Sequence, residues 1–176
     1  MKLGGKGGCN TTTGLDFEKK VDFQTLLEKI PGYHIKESNR AGRDVYFNGE
    51  IVARCFRKSQ FYTYLKENSI DWKQYISKRL LPDDALLVIV RETLFIIEVK
   101  YQQVAGSVDE KLQTCDFKRK QYVKLVSPLG LKVEYVYVLN DWFKVPGYKD
   151  VLEYVNSVNC HYKFDTLPLA WLGLPC

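Results

Sequence analysis

Histidine is scarce and paired thiols are missing. The chain carries two histidines, His34 and His161, and five cysteines (Cys9, Cys55, Cys115, Cys160 and Cys176) scattered without a CxxC pair. A structural zinc site gathers four imidazole or thiolate ligands at close spacing, so this inventory argues against one. His34 and His161 stand apart from any carboxylate or cysteine pattern and read as surface or packing residues. An odd, unpaired set of cysteines reads as reduced thiols inside a cell, with Cys115 a small packing residue. No run of about 18 apolar residues is present, which argues against a membrane span. The start of the chain lacks the charged-then-apolar build of a secretion leader, so the expectation is a cytoplasmic protein with no membrane partner.

Strong charge imbalance is also lacking. Lys and Arg number 26 against 21 Asp and Glu, a formal charge of +5, compatible with a nucleic-acid partner without requiring one. There is no internal repeat. The opening "GGKGGCNTTTG" lacks the GxxxxGK[ST] arrangement of a phosphate-binding loop and no strand precedes it, so no nucleotide cofactor is expected. Residues 1–13 read as a flexible Gly/Thr-rich arm.

The 176 residues, 45% of them hydrophobic, suffice for one domain over 1–176 with a substantial core. Thr13 and Asp16 have capping-box spacing, and "LDFEKKVDFQTLLEKI" repeats apolar residues at helical period until Pro31-Gly32 stops it. Asn48-Gly49 between two strand-like runs is a hairpin signal, because both turn positions favour positive φ. Residues 59–80 read as helical or irregular. "ALLVIV" and "LFIIEVKY" are apolar on both faces, which marks central strands. Ser107 and Glu110 form a second capping-box spacing, opening a helix to about Val126. "LKVEYVYVL" reads as a strand and "GYKDVLEYVNSV" as a helix. The C-terminal "TLPLAWLGLPC" is either a packed tail or a partner surface. The central order helix, strand, strand, strand, helix, strand predicts an α/β sandwich around a mixed sheet flanked by helices.

Charge inside apolar strands is costly unless paired or used. A hairpin folded at Glu92-Thr93 sets Glu98 opposite Leu87 and Lys100 opposite Ala85, with Asp83 and Asp84 just beyond. Glu98 and Lys100 share a face because side chains alternate along a strand. Two or three carboxylates and one ammonium therefore converge at one sheet edge. Hard oxygen ligands at one point suit Mg²⁺, and a neighbouring lysine orients a water and steadies charge growing on a phosphate. The plainer reading of the same residues is an ion pair closing a buried hairpin.

"PDD" followed by "EVK" resembles the PD-(D/E)XK nuclease superfamily, and "GLDFE", "EVKYQ" and "GSVDEKLQT…KRKQY" resemble segments of its type II restriction endonucleases. The resemblance covers roughly residues 14–140 and implies a restriction-endonuclease-like αβββαβ core. It implies a Mg²⁺-dependent DNA endonuclease, with Mn²⁺ as a substitute ion, leaving 5′-phosphates on double-stranded DNA. Asp83 and Glu98 match the metal-binding acids and Lys100 the catalytic lysine. Asp84 is either a supporting carboxylate or itself the ligand. Glu18 resembles the acidic residue that many members place on their first helix. In such enzymes the helix after the motif lies against the active site, so Gln113, Lys118, Lys120 and Gln121 become candidate phosphate contacts, with Lys111 before them. Arg43, with Arg40, Arg54, Arg57 and Lys58, lies in the region expected to read sequence. A palindromic target implies a homodimer. The alternatives are a repair nuclease or junction resolvase acting on branched DNA, or a non-catalytic DNA-binding module of the same fold.

Overall fold

In chain order the strands are β1 (Gly14–Asp16), β2 (Tyr33–Glu37), β3 (Arg43–Phe47), β4 (Glu50–Phe56), β5 (Asp84–Val88), β6 (Thr93–Lys100), β7 (Lys132–Leu139), β8 (His161–Phe164) and β9 (Thr166–Pro168). The α-helices are α1 (Phe23–Glu28), α2 (Gln60–Glu67), α3 (Val108–Leu112), α4 (Cys115–Val126), α5 (Lys149–Ser157) and α6 (Leu169–Leu172). The structure is a computed structural model that describes residues 14–16, 22–103 and 108–176. The arm 1–13, Glu18 and Ser107 lie outside the described residues.

Seven strands form one mixed sheet in the spatial order β2-β3-β4-β5-β6-β7-β8, and β1 pairs with β9 separately. β2 to β6 run as an antiparallel meander, while β6–β7 and β7–β8 are parallel. Parallel neighbours need crossovers, and the helical segments after β6 and β7 supply them. The sheet divides two cores. On one face α2, α4 and α5 bury Phe61, Tyr122, Leu125, Leu152 and Val155 against Leu94, Ile96 and Tyr135. On the other, α1 and α6 bury Phe23, Leu27, Leu169 and Leu172 against Phe95, Ile97 and Val136. Each such fully buried side chain contributes about 1.5–3 kcal/mol relative to exposure.

Several expectations hold. Asn48 (φ 49°) and Gly49 (φ 90°) make the two-residue turn between β3 and β4. β5 and β6 are central, "LKVEYVYVL" is β7, and "GYKDVLEYVNSV" contains α5. The C-terminal segment is a packed tail, with Leu167, Leu169, Leu172 and Leu174 all buried.

Other expectations are corrected. The first helix does not start at Thr13: Gly14–Asp16 is a strand that seats Leu15 opposite Leu167. The helix starts at Phe23, where Asp22 caps it by accepting from the Thr25 backbone N–H at 3.0 Å. The helix expected from Ser107 to Val126 is two helices, broken at Gln113–Thr114. The hairpin turn is not at Glu92-Thr93. Ile89 to Glu92 form the connection, with Glu92 left-handed at φ 49°, so Ala85 faces Ile96 and Leu87 faces Leu94. Strands β2 and β8, read from no sequence pattern, extend the sheet on both sides. Cys55, Cys115 and Cys160 are buried free thiols, whereas Cys176 is disulfide-bonded, which departs from the expectation of reduced thiols. His161 is not isolated from acids; its Nε2 lies 2.8 Å from Glu134 Oε2 on the neighbouring strand. No helix among the described residues is long and apolar enough to cross a membrane.

Candidate active site

The earlier turn brings the motif acids closer together than the expected one. The last β5–β6 pair is Asp84 with Ile97, so continuing the register by one position sets Asp83 beside Glu98. Strand alternation puts both on the face that carries Ile96 and Leu94, together with Lys100. The Lys100 Nζ lies 3.0 Å from Glu98 Oε2 and 3.6 Å from Asp83 Oδ2. Glu98 is buried at 5% exposure, while the Asp83 side chain is 54% exposed. The cluster therefore has a buried floor and an open, acidic rim.

Glu98 is held from three sides. Lys118 on α4 donates its Nζ to both carboxylate oxygens, at 2.9 and 3.1 Å. The Tyr135 hydroxyl on β7 donates to Oε1 at 2.5 Å. Burial pushes a carboxyl up, but the Lys100 and Lys118 ammonium groups and the Tyr135 bond outweigh it and hold Glu98 below its ordinary value. The carboxylate is thus ionised and fixed in orientation. Burial and then the nearby Glu98 charge push the Tyr135 phenol far up, so it acts only as a donor. Tyr137, two residues on, donates to the Lys111 carbonyl at 3.1 Å and pins the end of α3.

The two motif aspartates part company. Asp84 turns to the opposite face, where it is 6% exposed and accepts a bond from the Phe23 backbone at the start of α1. Its Oδ1 has no hydrogen-bond partner among the described residues. Burial, the largest cause, lifts its carboxyl to about 7. Beside it the α1 cap, Asp22, forms an ion pair with Arg57. The structure therefore brings Asp83, Glu98 and Lys100 together and leaves Asp84 behind the sheet.

The residues expected to meet DNA are spread more widely. Lys111 and Gln113 are exposed around the α3–α4 break. Lys120 is exposed and bonds Asp116 at 2.8 Å, one helical turn away; Gln121 is half-buried. Lys118 does not face solvent as a free cation but joins the Glu98 cluster. Arg43 is already occupied, with Glu37 at 2.8 Å and Gln24 at 3.0 Å. The sequence reading did not pick out Tyr135, although a tyrosine inside a buried strand needs a partner for its hydroxyl. That requirement was the available signal.

A divalent cation fits two of these groups. Asp83 and Glu98 are hard oxygen donors on adjacent chain segments, and both already face one cation, the Lys100 ammonium. Asp84 does not fit, because its carboxylate lies on the other side of the sheet and is readily protonated. Comparison with protein-family models, with curated proteins and with solved structures finds no match for this chain, so its function is argued from the site itself.

Proposed function

We propose that the protein is a Mg²⁺-dependent DNA endonuclease of the PD-(D/E)XK type, a restriction enzyme that leaves 5′-phosphates on double-stranded DNA. The observation that carries this reading is the Lys100 ammonium lying between Asp83 and Glu98 at the end of the central hairpin. Supporting it, α1, the meander β4–β5–β6, α4 and the parallel strand β7 occur in the αβββαβ order of that superfamily, with β2 and β3 inserted between α1 and β4 and α2 between β4 and β5.

Asp83 and Glu98 would hold the ion, which when bound supplies charge neutralisation at the scissile phosphate and an activated water. The chain's own residues do the rest. Lys118 and Tyr135 hold Glu98 ionised and in one orientation, so its oxygens need no rearrangement when the substrate arrives. Lys100, 3.0 Å from Glu98 and 3.6 Å from Asp83, turns to the phosphate, orients the attacking water and steadies charge on the phosphoryl oxygens. Positioning of this kind provides most of the catalysis in phosphate-ester cleavage. A two-fold homodimer would place one such site on each strand of a palindrome.

One observation favours a second reading. Both Glu98 oxygens are already bonded to lysine or tyrosine, as in an ion-paired strut of a non-catalytic DNA-binding module. Incubating the protein with unmethylated phage DNA, in Mg²⁺ or in EDTA, separates the two. Discrete Mg²⁺-dependent fragments with 5′-phosphate ends support the endonuclease. DNA that is bound yet left intact, linear or branched, supports the binding module.

A further inference from the structure

A second feature lies just upstream of Asp83 in the chain. A cleft of about 530 Å³ opens between α2 and the short turn at Trp72, within the range of about 300–1,000 Å³ of small-molecule sites. Its walls combine aromatic rings and cations. The Arg79 guanidinium lies 5.0 Å from the ring centres of both Tyr62 and Trp72, and the two rings meet nearly edge to face at 81°. Lys66 and Lys73 complete the basic lining. Among the described residues no carboxylate forms an ion pair with Lys66, Lys73 or Arg79; the one lining acid, Asp71, accepts from the Lys73 backbone N–H at 3.1 Å and offsets part of the three positive charges.

Such a lining matches one kind of ligand chemistry. A planar ring stacks on the indole and on the guanidinium plane, and an attached anion meets three unpaired cations. An acidic peptide satisfies the cations alone, whereas a nucleotide also brings a planar ring to the Arg79–Trp72 pair. The cleft is also tied to the cluster. The Tyr62 hydroxyl donates to the Leu80 carbonyl at 2.9 Å and accepts from the Leu80 N–H at 2.8 Å, and the chain runs from Leu80 through Leu81 and Pro82 to Asp83.

We propose that this cleft receives one nucleotide of the DNA strand, its base stacked on Trp72 and its phosphate among Lys66, Lys73 and Arg79. The assignment rests on the DNA-cleaving reading of the Asp83–Glu98–Lys100 site and adds to it an extra-helical nucleotide. A base reaches an indole only outside the helical stack, and extrusion is cheapest where the base is already unpaired.

The test is the anisotropy of a fluorescein-labelled duplex carrying one unpaired thymine, in EDTA so that nothing is cut. Trp72→Ala should weaken binding about 5- to 100-fold, and Trp72→Phe should restore most of it. Lys66→Ala with Lys73→Ala should lower the slope of log affinity against log salt by about 1–2; both changes lie on the surface, which keeps the test valid if Trp72→Ala fails to fold. Unchanged affinity in the folded variants overturns the proposal, as does an absence of duplex binding. Thymidine monophosphate binding while the duplex does not also overturns it, and marks a free-nucleotide site. Cleavage with Mg²⁺ is scored separately. Cutting without Trp72 dependence removes the cleft alone, and Trp72-dependent binding without cutting removes the nuclease reading alone.

Discussion

The Lys118 Nζ sits 2.9 Å from Glu98 Oε1 and 3.1 Å from Oε2, which couples α4 to the floor of the candidate active site. Removing this ammonium leaves a buried carboxylate with Lys100 and Tyr135 alone. Lys118→Ala should therefore lower stability by about 1–3 kcal/mol, as for loss of a charged hydrogen bond. A urea midpoint equal to wild type would show that Glu98 does not depend on α4.

Asp84 predicts a pH dependence on the opposite face. Its carboxyl is raised from the ordinary 3.8 to about 7 by burial, the largest cause. Between those values the folded chain binds more protons than the unfolded one, so stability falls as pH climbs. The contribution is fully present below the unfolded value and is lost as pH rises through about 7. Asp84→Asn should be more stable than wild type at pH 8 by about 1–4 kcal/mol and equal to it near pH 4. Thermal melts at both values, in EDTA, provide the comparison; an equal difference at both would contradict the burial argument.

Gly42 is a backbone requirement. Its φ is +87°, and a Cβ there would lie 2.6 Å from the Cys55 carbonyl oxygen. Gly42→Ala combines a left-handed backbone with a clash against β4, and should cost more than about 2 kcal/mol. Gly130 is also left-handed, at φ +66°, but has nothing within 4 Å; its alanine variant should cost only about 1–2 kcal/mol. Equal chemical denaturation midpoints for the two variants would rule out the clash.

If Asp83 and Glu98 hold a divalent ion, millimolar Mg²⁺ should raise the melting temperature of wild type above its value in EDTA by mass action. Asp83→Asn, at a side chain 54% exposed that loses only its 3.6 Å ion pair with Lys100, should melt within about 1 kcal/mol of wild type in EDTA and gain nothing from Mg²⁺. An equal gain in both proteins would place the ion elsewhere.

Much of the centre of this fold was legible because its signals are local. Asn48-Gly49 names its own turn, and the two apolar runs name central strands. The turn between those runs was misplaced because Ile89 and Val90 look like strand residues. They lie instead in the connection, 46% and 83% exposed. Apolar character alone does not reveal where pairing stops. The error was even in register, so Glu98 and Lys100 kept their face and the convergence survived it. Which of Asp83 and Asp84 joins them depends on strand parity, fixed by the β5–β6 pairing. β2 and β8 escaped notice because edge strands are half-buried and carry polar residues such as Lys36 and Lys163. Lys118 looked like a solvated cation because the sequence shows charge but not the carboxylate that the fold brings to it.

The most direct test compares wild type and Lys100→Ala on unmethylated phage DNA with Mg²⁺, with DNA affinity measured in EDTA alongside. The account predicts discrete fragments from wild type, and none from a folded Lys100→Ala protein that still binds DNA. Equal cutting by both, or no cutting by wild type under any divalent ion, would contradict it.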